Sequence, residues 1–133
     1  MNAVETALYS TLSAGTALIS LLGGTAIYNG MIPRDADLPC VVFSHASGIE
    51  ENLTPTRSSR MIYLVKGVAD TMYEAGQIAD AVDTLLHGTT ITPTGYSNFW
   101  TAREMHVRYV ETDPGGQIVA HSGGEYAIRI EKT

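Results

Sequence analysis

Apolar residues recur along this chain with two different periods, and each change of period marks an element. Over residues 2–13, Val4, Leu8 and Leu12, with Ala7 beside them, fall on one helical face. Asn2 followed three residues later by Glu5 has capping-box spacing, so a helix is predicted there. Gly15 interrupts it. Leu18, Ile19, Leu21 and Leu22 then predict a second short helical piece, stopped by Gly23-Gly24, and the two pieces read as a bent helical arm over a sheet. Asn29-Gly30, Pro33 and Pro39 follow on the way into an apolar run from Cys40 to Phe43. They predict a stiff, solvent-facing connection, with the residue before Pro39 held extended, leading into a buried strand over 40–47.

The segment "GIEENLTPTRSS", residues 48–59, is polar and carries Gly48 and Pro55, which predicts a long loop. A strand rich in β-branched and aromatic residues is predicted over 60–68. Thr71 and Glu74 repeat the capping-box spacing. After them Met72, Ala75, Ile78, Ala79, Val82, Leu85 and Leu86 form the clearest 3.6-residue stripe in the chain, ending at Gly88. Residues 89–100 look irregular, with an aromatic tip at Phe99-Trp100. From 103 to 110 the period is two, with Met105, Val107 and Tyr109 pointing one way and Glu104, His106 and Arg108 the other. Asp113-Pro114-Gly115-Gly116 predicts a turn, then a weak strand over 117–121. A turn at "SGGEY" and a last strand with Tyr126, Ile128 and Ile130 inward complete the chain. Helix, strands, helix, strands predicts one α+β domain over residues 1–133, a mainly antiparallel sheet with helices packed on one face.

Charge and composition narrow the function more than they identify it. The 133 residues are 44% apolar and 17% charged, which is the balance of a globular chain, and the net charge is −6. Non-specific DNA binding by phosphate neutralisation needs a basic surface, so it is disfavoured. Cys40 is the single cysteine; it opens an apolar run and reads as a buried, inert thiol, with no disulfide or cysteine-based zinc site open to the chain. The apolar stretch from Ala14 to Ile27 is too short and too interrupted to span a bilayer, and the start lacks a basic signal-peptide region, so a cytoplasmic site of synthesis is expected. Of the four histidines, His45, His87, His106 and His121, no pair has ligand spacing within one element. A composite site of His45, His106 and Glu104 on neighbouring strands is the one catalytic or metal arrangement left open. "GGTAIYNG" lacks the lysine and hydroxyl of a phosphate-binding loop. No enzyme and no cofactor is expected.

Two groups of side chains stand out instead. Arg57 and Arg60 close the polar loop, and Arg103 stands near Phe99 and Trp100; arginine and tryptophan are common interface anchors. These five are the candidate interface residues, against the simpler reading of exposed loops and an ordinary polar sheet face. The polar strand side of Glu104, His106 and Arg108 is likewise suited to meeting a neighbour. Asp70, Glu74, Asp80 and Asp83 form an acidic set with no lysine or arginine between 67 and 102, which is either a solvated face or one turned toward a polyanion that must not stick.

The order of these features resembles the tail-completion, or tail-terminator, proteins of long-tailed bacteriophages. The resemblance is carried by "ALYSTLSA", "ALISLLGG", "AIYNGMIP" and "LPCVVFSHASG", by the strand that runs directly into "ADTMYEAGQIADAVDTLL", and by the closing strands "MHVRYVETDP" and "GGEYAIRIE". It implies a structural subunit of the virion, made in the host cytoplasm and placed at the head–tail junction. Such proteins form a ring, usually of six copies, that stops tube polymerisation and presents a surface to the head connector. Tail tube and neck proteins are then the partners. DNA passes through the channel without specific binding, and the acids Asp70, Glu74, Asp80 and Asp83 would face it; no membrane is involved. A rigid crossing at Pro33 and Pro39 would suit a subunit whose loops must meet neighbours at one angle for a ring to close. Another neck, head-completion or minor tail protein, a secretion-system relative, or a small α+β enzyme built on His45 and His106 are the rival readings.

Overall fold

The computed structural model describes residues 2–52 and 57–133. Its elements are α1 (Asn2–Ser13), α2 (Thr16–Leu22), β1 (Ile27–Asn29), β2 (Cys40–Glu51), β3 (Ser58–Ala69), α3 (Met72–Leu86), β4 (Tyr96–Thr112) and β5 (Ile118–Lys132). They build one five-stranded sheet in the order β1-β2-β3-β5-β4. The β1–β2 pair is parallel and the other three pairs are antiparallel, so the fold is α+β with a mainly antiparallel sheet.

All three helices cover the same face. Val4, Leu8 and Leu12 of α1, Leu18 and Leu22 of α2, and Ala75, Ile78, Val82 and Leu86 of α3 join Val41, Phe43, Tyr63, Val65, Tyr126, Ile128 and Ile130 in one core. Each fully buried aliphatic or aromatic side chain here contributes about 1.5–3 kcal/mol relative to exposure, which makes this stripe-on-sheet packing the main reason the helices form. Gly15 begins α2 and lets it approach α3, since a Cβ there would sit 2.4 Å from Leu85 Cδ1. Gly23 ends α2 in the left-handed region, at φ 73°, and its N–H bonds to the Ile19 carbonyl. Thr71 caps α3 by accepting from the Glu74 N–H at 3.2 Å. The other expected capping pair does something else: α1 already includes Asn2, and Glu5 directs its carboxylate to Asn29 and Tyr63.

The strands run further than the sequence pattern indicates. Residues 48–51 and 58–59 of the expected loop are strand, because β2 and β3 stay paired from Glu51–Ser58 back to Cys40–Val68. Pro55 lies outside the described residues. Residues 96–100, expected to be irregular, are the start of β4, a 17-residue edge strand with bulges at Phe99 and Glu104. The expected turn at "SGGEY" is mid-strand: Gly123 and Gly124 lie inside β5, between Lys66 and Val65 of β3 and Val107 and His106 of β4. A Cβ on Gly123 would come within 2.1 Å of the Val65 carbonyl oxygen, so these glycines are there for close backbone approach and not for turning. The Asp113–Gly116 turn is present, with Asp113 Oδ1 accepting from the Gln117 N–H at 2.8 Å. Along residues 30–39 the chain crosses to the other side of the sheet. There Ile32 and Leu38 cover Cys40, Val42 and Val68 in a second small core, and the Leu38–Pro39 peptide is cis. Cys40 is fully buried, and burial pushes its thiol up to about 11, as expected of an inert core cysteine.

Candidate interaction surface

Beyond that small core, the sheet face opposite the helices is open. Register places its side chains in rows across β2, β3, β5 and β4: Ile49, Arg60, Arg129 and Trp100; then Ser47, Ile62, Ala127 and Ala102; then Ser44, Leu64, Glu125 and Met105. Ile49 is 60% exposed and Met105 55%, and Ile62, Leu64 and Ala102 are half-buried without a helix above them. Two ion pairs and a hydrogen bond stitch the rows together. Arg60 pairs with Glu104, Arg129 donates to Glu51 at 2.8 Å, and Lys66 bonds the Tyr109 hydroxyl. His121 is buried at the lower end, stacked on Tyr109 at 4.4 Å and bonded to Glu111 at 2.6 Å. Burial pushes its imidazole below the ordinary histidine range, and Lys66 adds to this while Glu111 only partly opposes it.

The period-two reading of β4 holds in phase, but the two sides differ from the expected assignment. Met105, Val107 and Tyr109 share the open face. Glu104 sits in a bulge and joins them there through Arg60, whereas His106 and Arg108 lie on the helix side, beside α3. The expected charged strand side is therefore split. His45 and His106 also stand apart, because β3 and β5 lie between their strands; His45 stacks on Tyr63 at 4.8 Å. Among the described residues no three His, Cys, Asp or Glu side chains come together as a metal-binding group.

The five candidate contact residues fall into three places. Arg60 and Trp100 share the open-face row of Arg129, with Phe99 in the bulge beside Trp100, whereas Arg57 sits at the rim with Glu50, Ser59, Tyr96 and Lys132, its carbonyl accepting from the Lys132 N–H at 2.9 Å. Phe99 is 50% exposed and Trp100 36%. Arg103 instead turns to the helix side, 3.6 Å from Asp83, and its N–H donates to His87 Nδ1 at 3.0 Å. Asn98, which sequence reasoning passed over, shapes this corner. Its amide accepts from Ile91 N–H and Thr101 Oγ1 and donates to the Trp100 and Arg129 carbonyls, holding the bulge that displays Phe99 and Trp100. Nothing in the spacing of a lone asparagine signals that role.

The four acids do not form one stripe. Asp70 precedes α3 and meets Gln117, and Asp80 is exposed. Glu74 and Asp83, nine residues apart, lie about 180° from each other around the helix. Asp83 is half-buried, accepts from the Tyr126 hydroxyl at 2.8 Å and pairs with Arg103. Burial and that bond push the Tyr126 phenol upward.

A family model described as "Tail completion protein gp17" matches residues 6–116, which span α1 through the end of β4. The solved structure of a chain from the virion of a native gene transfer agent particle has the same fold. It aligns with TM-score 0.71 over 95% of this chain and 92% of that one, at 16% sequence identity. No curated protein sequence matches this chain. The chain belongs to the tail completion protein gp17 family and is a structural protein of phage tail assembly.

Proposed function

We propose that this protein is a tail terminator: copies of it form a ring, six-membered as the sequence resemblance implies, on the head-proximal end of the tail tube. The ring stops tube growth and offers its other side to the head connector. The family match over residues 6–116 carries this reading, and the open sheet face with its exposed Ile49, Phe99, Trp100 and Met105 supports it, since repeated weak contacts in a ring add up through multivalency. Arg57, Arg60, Phe99 and Trp100 are the proposed intersubunit or tube contacts; Arg103 supports that corner from behind. Asp70, Glu74 and Asp80 are the acids proposed to face the DNA channel, with Asp83, tied to Arg103 and Tyr126, adding least.

Immunogold electron microscopy of particles assembled with and without the chain tests this. Label at the head–tail junction, and overlong headless tubes when the chain is missing, is the expected result. Label along the whole tail would make it a tube subunit. Junction label with tubes of normal length would make it a different neck protein.

A further inference from the structure

The sheet has two edges, and each is bare at the end where the other is covered. Along the β2 edge, β1 pairs with residues 41–43 only, so the outer backbone of residues 44–51 meets no strand among the described residues. Along the β4 edge, Gly88 N–H bonds the Thr101 carbonyl and His87 accepts from Arg103 N–H. Past the Glu104 bulge, the outer backbone of residues 105–112 meets no strand among the described residues. In these two stretches Ser44, Glu51 and Val107 are half-buried and every other residue is exposed, whichever face it points to. Register sets them at diagonal corners of the sheet: residues 44–51 lie level with residues 125–131 of β5, and residues 105–112 with residues 118–125.

Bare edge backbone is a template for a further strand, and a second copy of this chain offers one that fits on three counts. Three antiparallel pairings separate β2 from β4, so the two run in opposite directions. Laid edge to edge in two copies with their helices on one side, they therefore meet as an antiparallel pair. The bare stretches are equally long, eight residues each. Their pleats also agree. Glu51 opposite Met105 sets open-face side chains beside open-face side chains, with Ser47 against Tyr109 and Ile49 against Val107. The last is an apolar cross-strand pair, formed by an Ile49 that is otherwise 60% exposed. One copy cannot make this pair with itself. Glu51 is level with Glu131 of β5 and Met105 with Glu125. That separation is on the order of 20 Å along the strands and about 14 Å across them.

We infer that residues 44–51 of one copy add as a strand to the 105–112 edge of the next, so that the sheet continues from subunit to subunit. The joint is heterologous, each copy giving a β2 edge on one side and a β4 edge on the other, and such joints close into rings when the rotation allows. Each joint steps the sheet by about 20 Å along the strands for about 19 Å of width, four strands. That inclines the strands about 45° to the ring axis, close to the roughly 35–45° at which sheets close on themselves. The inference rests on the ring reading and names the edges that would join its subunits.

The test is oxidative cross-linking of the Ile49→Cys/Val107→Cys double variant, with each single substitution as control. It is run on the purified full chain over a concentration series and on tails from particles complemented with it. Cys40 is fully buried and does not compete. Directly opposed strand residues bring their Cα atoms to about 4.5–5.5 Å, within disulfide reach, whereas within one copy these two positions lie far beyond it. Ile49 is exposed and Val107 has no helix above it, so the variants should melt close to wild type, which is checked alongside. Amide exchange of the wild-type chain, free and assembled, reads the same contact without any substitution. Expected is a ladder of covalent multimers from the double variant and none from either single. Exchange should slow about tenfold or more in both residues 44–51 and residues 105–112 on assembly. No ladder and no slowed exchange, in solution or in tails, overturns the joint, as does exchange slowed in one stretch alone. A Val107→Cys single that cross-links to itself overturns it too, since two β4 edges would then be paired in a closed dimer. Tube capping is scored separately. A chain that caps tubes without cross-linking keeps the terminator reading and loses this joint. A chain that cross-links in solution but caps nothing keeps the joint and loses the reading.

Discussion

Asp80 and Asp83 look interchangeable in the sequence, two acids on one acidic helix, yet they have different work in the fold. Asp83 closes a small network with Tyr126 and Arg103 at the junction of α3, β5 and β4, while the Asp80 carboxylate is exposed and makes no hydrogen bond or ion pair among the described residues. Asp83→Ala strands a buried tyrosine hydroxyl and a half-buried guanidinium, and is expected to cost about 1–3 kcal/mol in urea unfolding. Asp80→Ala should stay within about 0.5 kcal/mol of wild type. Acid sensitivity also has residue-scale origins. Burial alone would raise the Glu5 carboxyl, but bonds from Asn29 and Tyr63, with His45 nearby, hold it below its ordinary 4.5. Its folded value is depressed, so its contribution is present above 4.5 and is lost as the pH falls below that. His121 is depressed from 6.5, so protonating the unfolded chain costs stability from 6.5 downward. Thermal melts across this range should therefore decline in two stages. Glu5→Gln is expected to remove the lower stage and His121→Gln the upper.

At the scale of elements, the helices were legible and the strand ends were not. The stripe from Met72 to Leu86 and the Gly23-Gly24 stop follow from spacing and from a left-handed cap, both of which are local. The sheet is not local. β1 is three residues long and exists only because β2 offers an edge to pair with. Residues 48–51 and 96–100 carry polar, turn-like composition because they lie at the rim or on an open face, where no core imposes alternation. Gly123-Gly124 reads as a turn until β3 and β4 are seen pressing on both sides. The candidate contact residues shared this limit: Arg60 and Trp100 lie in one open-face row with Phe99 in the bulge beside them, but the pleat puts Arg103 on the helix side and Arg57 sits at the helix-side rim. Three glycines give the test. Gly67→Ala would push a Cβ to 2.6 Å from Ile78 Cγ2, and Gly123→Ala one to 2.1 Å from the Val65 carbonyl oxygen, so each should destabilise by about 1–3 kcal/mol. Gly76→Ala, inside α3 with 3.4 Å to the nearest atom, should instead stabilise by about 0.5–1 kcal/mol.

The whole molecule divides into a helix-covered side, which supplies stability, and an open sheet side with a long free edge, which supplies surface. Substitutions on the second should spare the first. Trp100→Ala and Arg57→Ala are expected to melt within about 0.5 kcal/mol of wild type, while particles complemented with them show fewer completed tails by electron microscopy. A large loss of stability would instead place Trp100 or Arg57 in the load of the fold. The free edge has a cost of its own. β4 pairs with no strand on its outer side among the described residues, a template on which strands of other chains can add; Gly88 N–H, bonded to the Thr101 carbonyl, and His87, accepting from Arg103 N–H, cover part of that edge, and the bulges at Phe99 and Glu104 break it into short stretches. Under the terminator role proposed above, subunits wait for a finished tube, and those two extra residues act as a shelf-life: they let a pool of subunits stay dissolved without setting into fibres first.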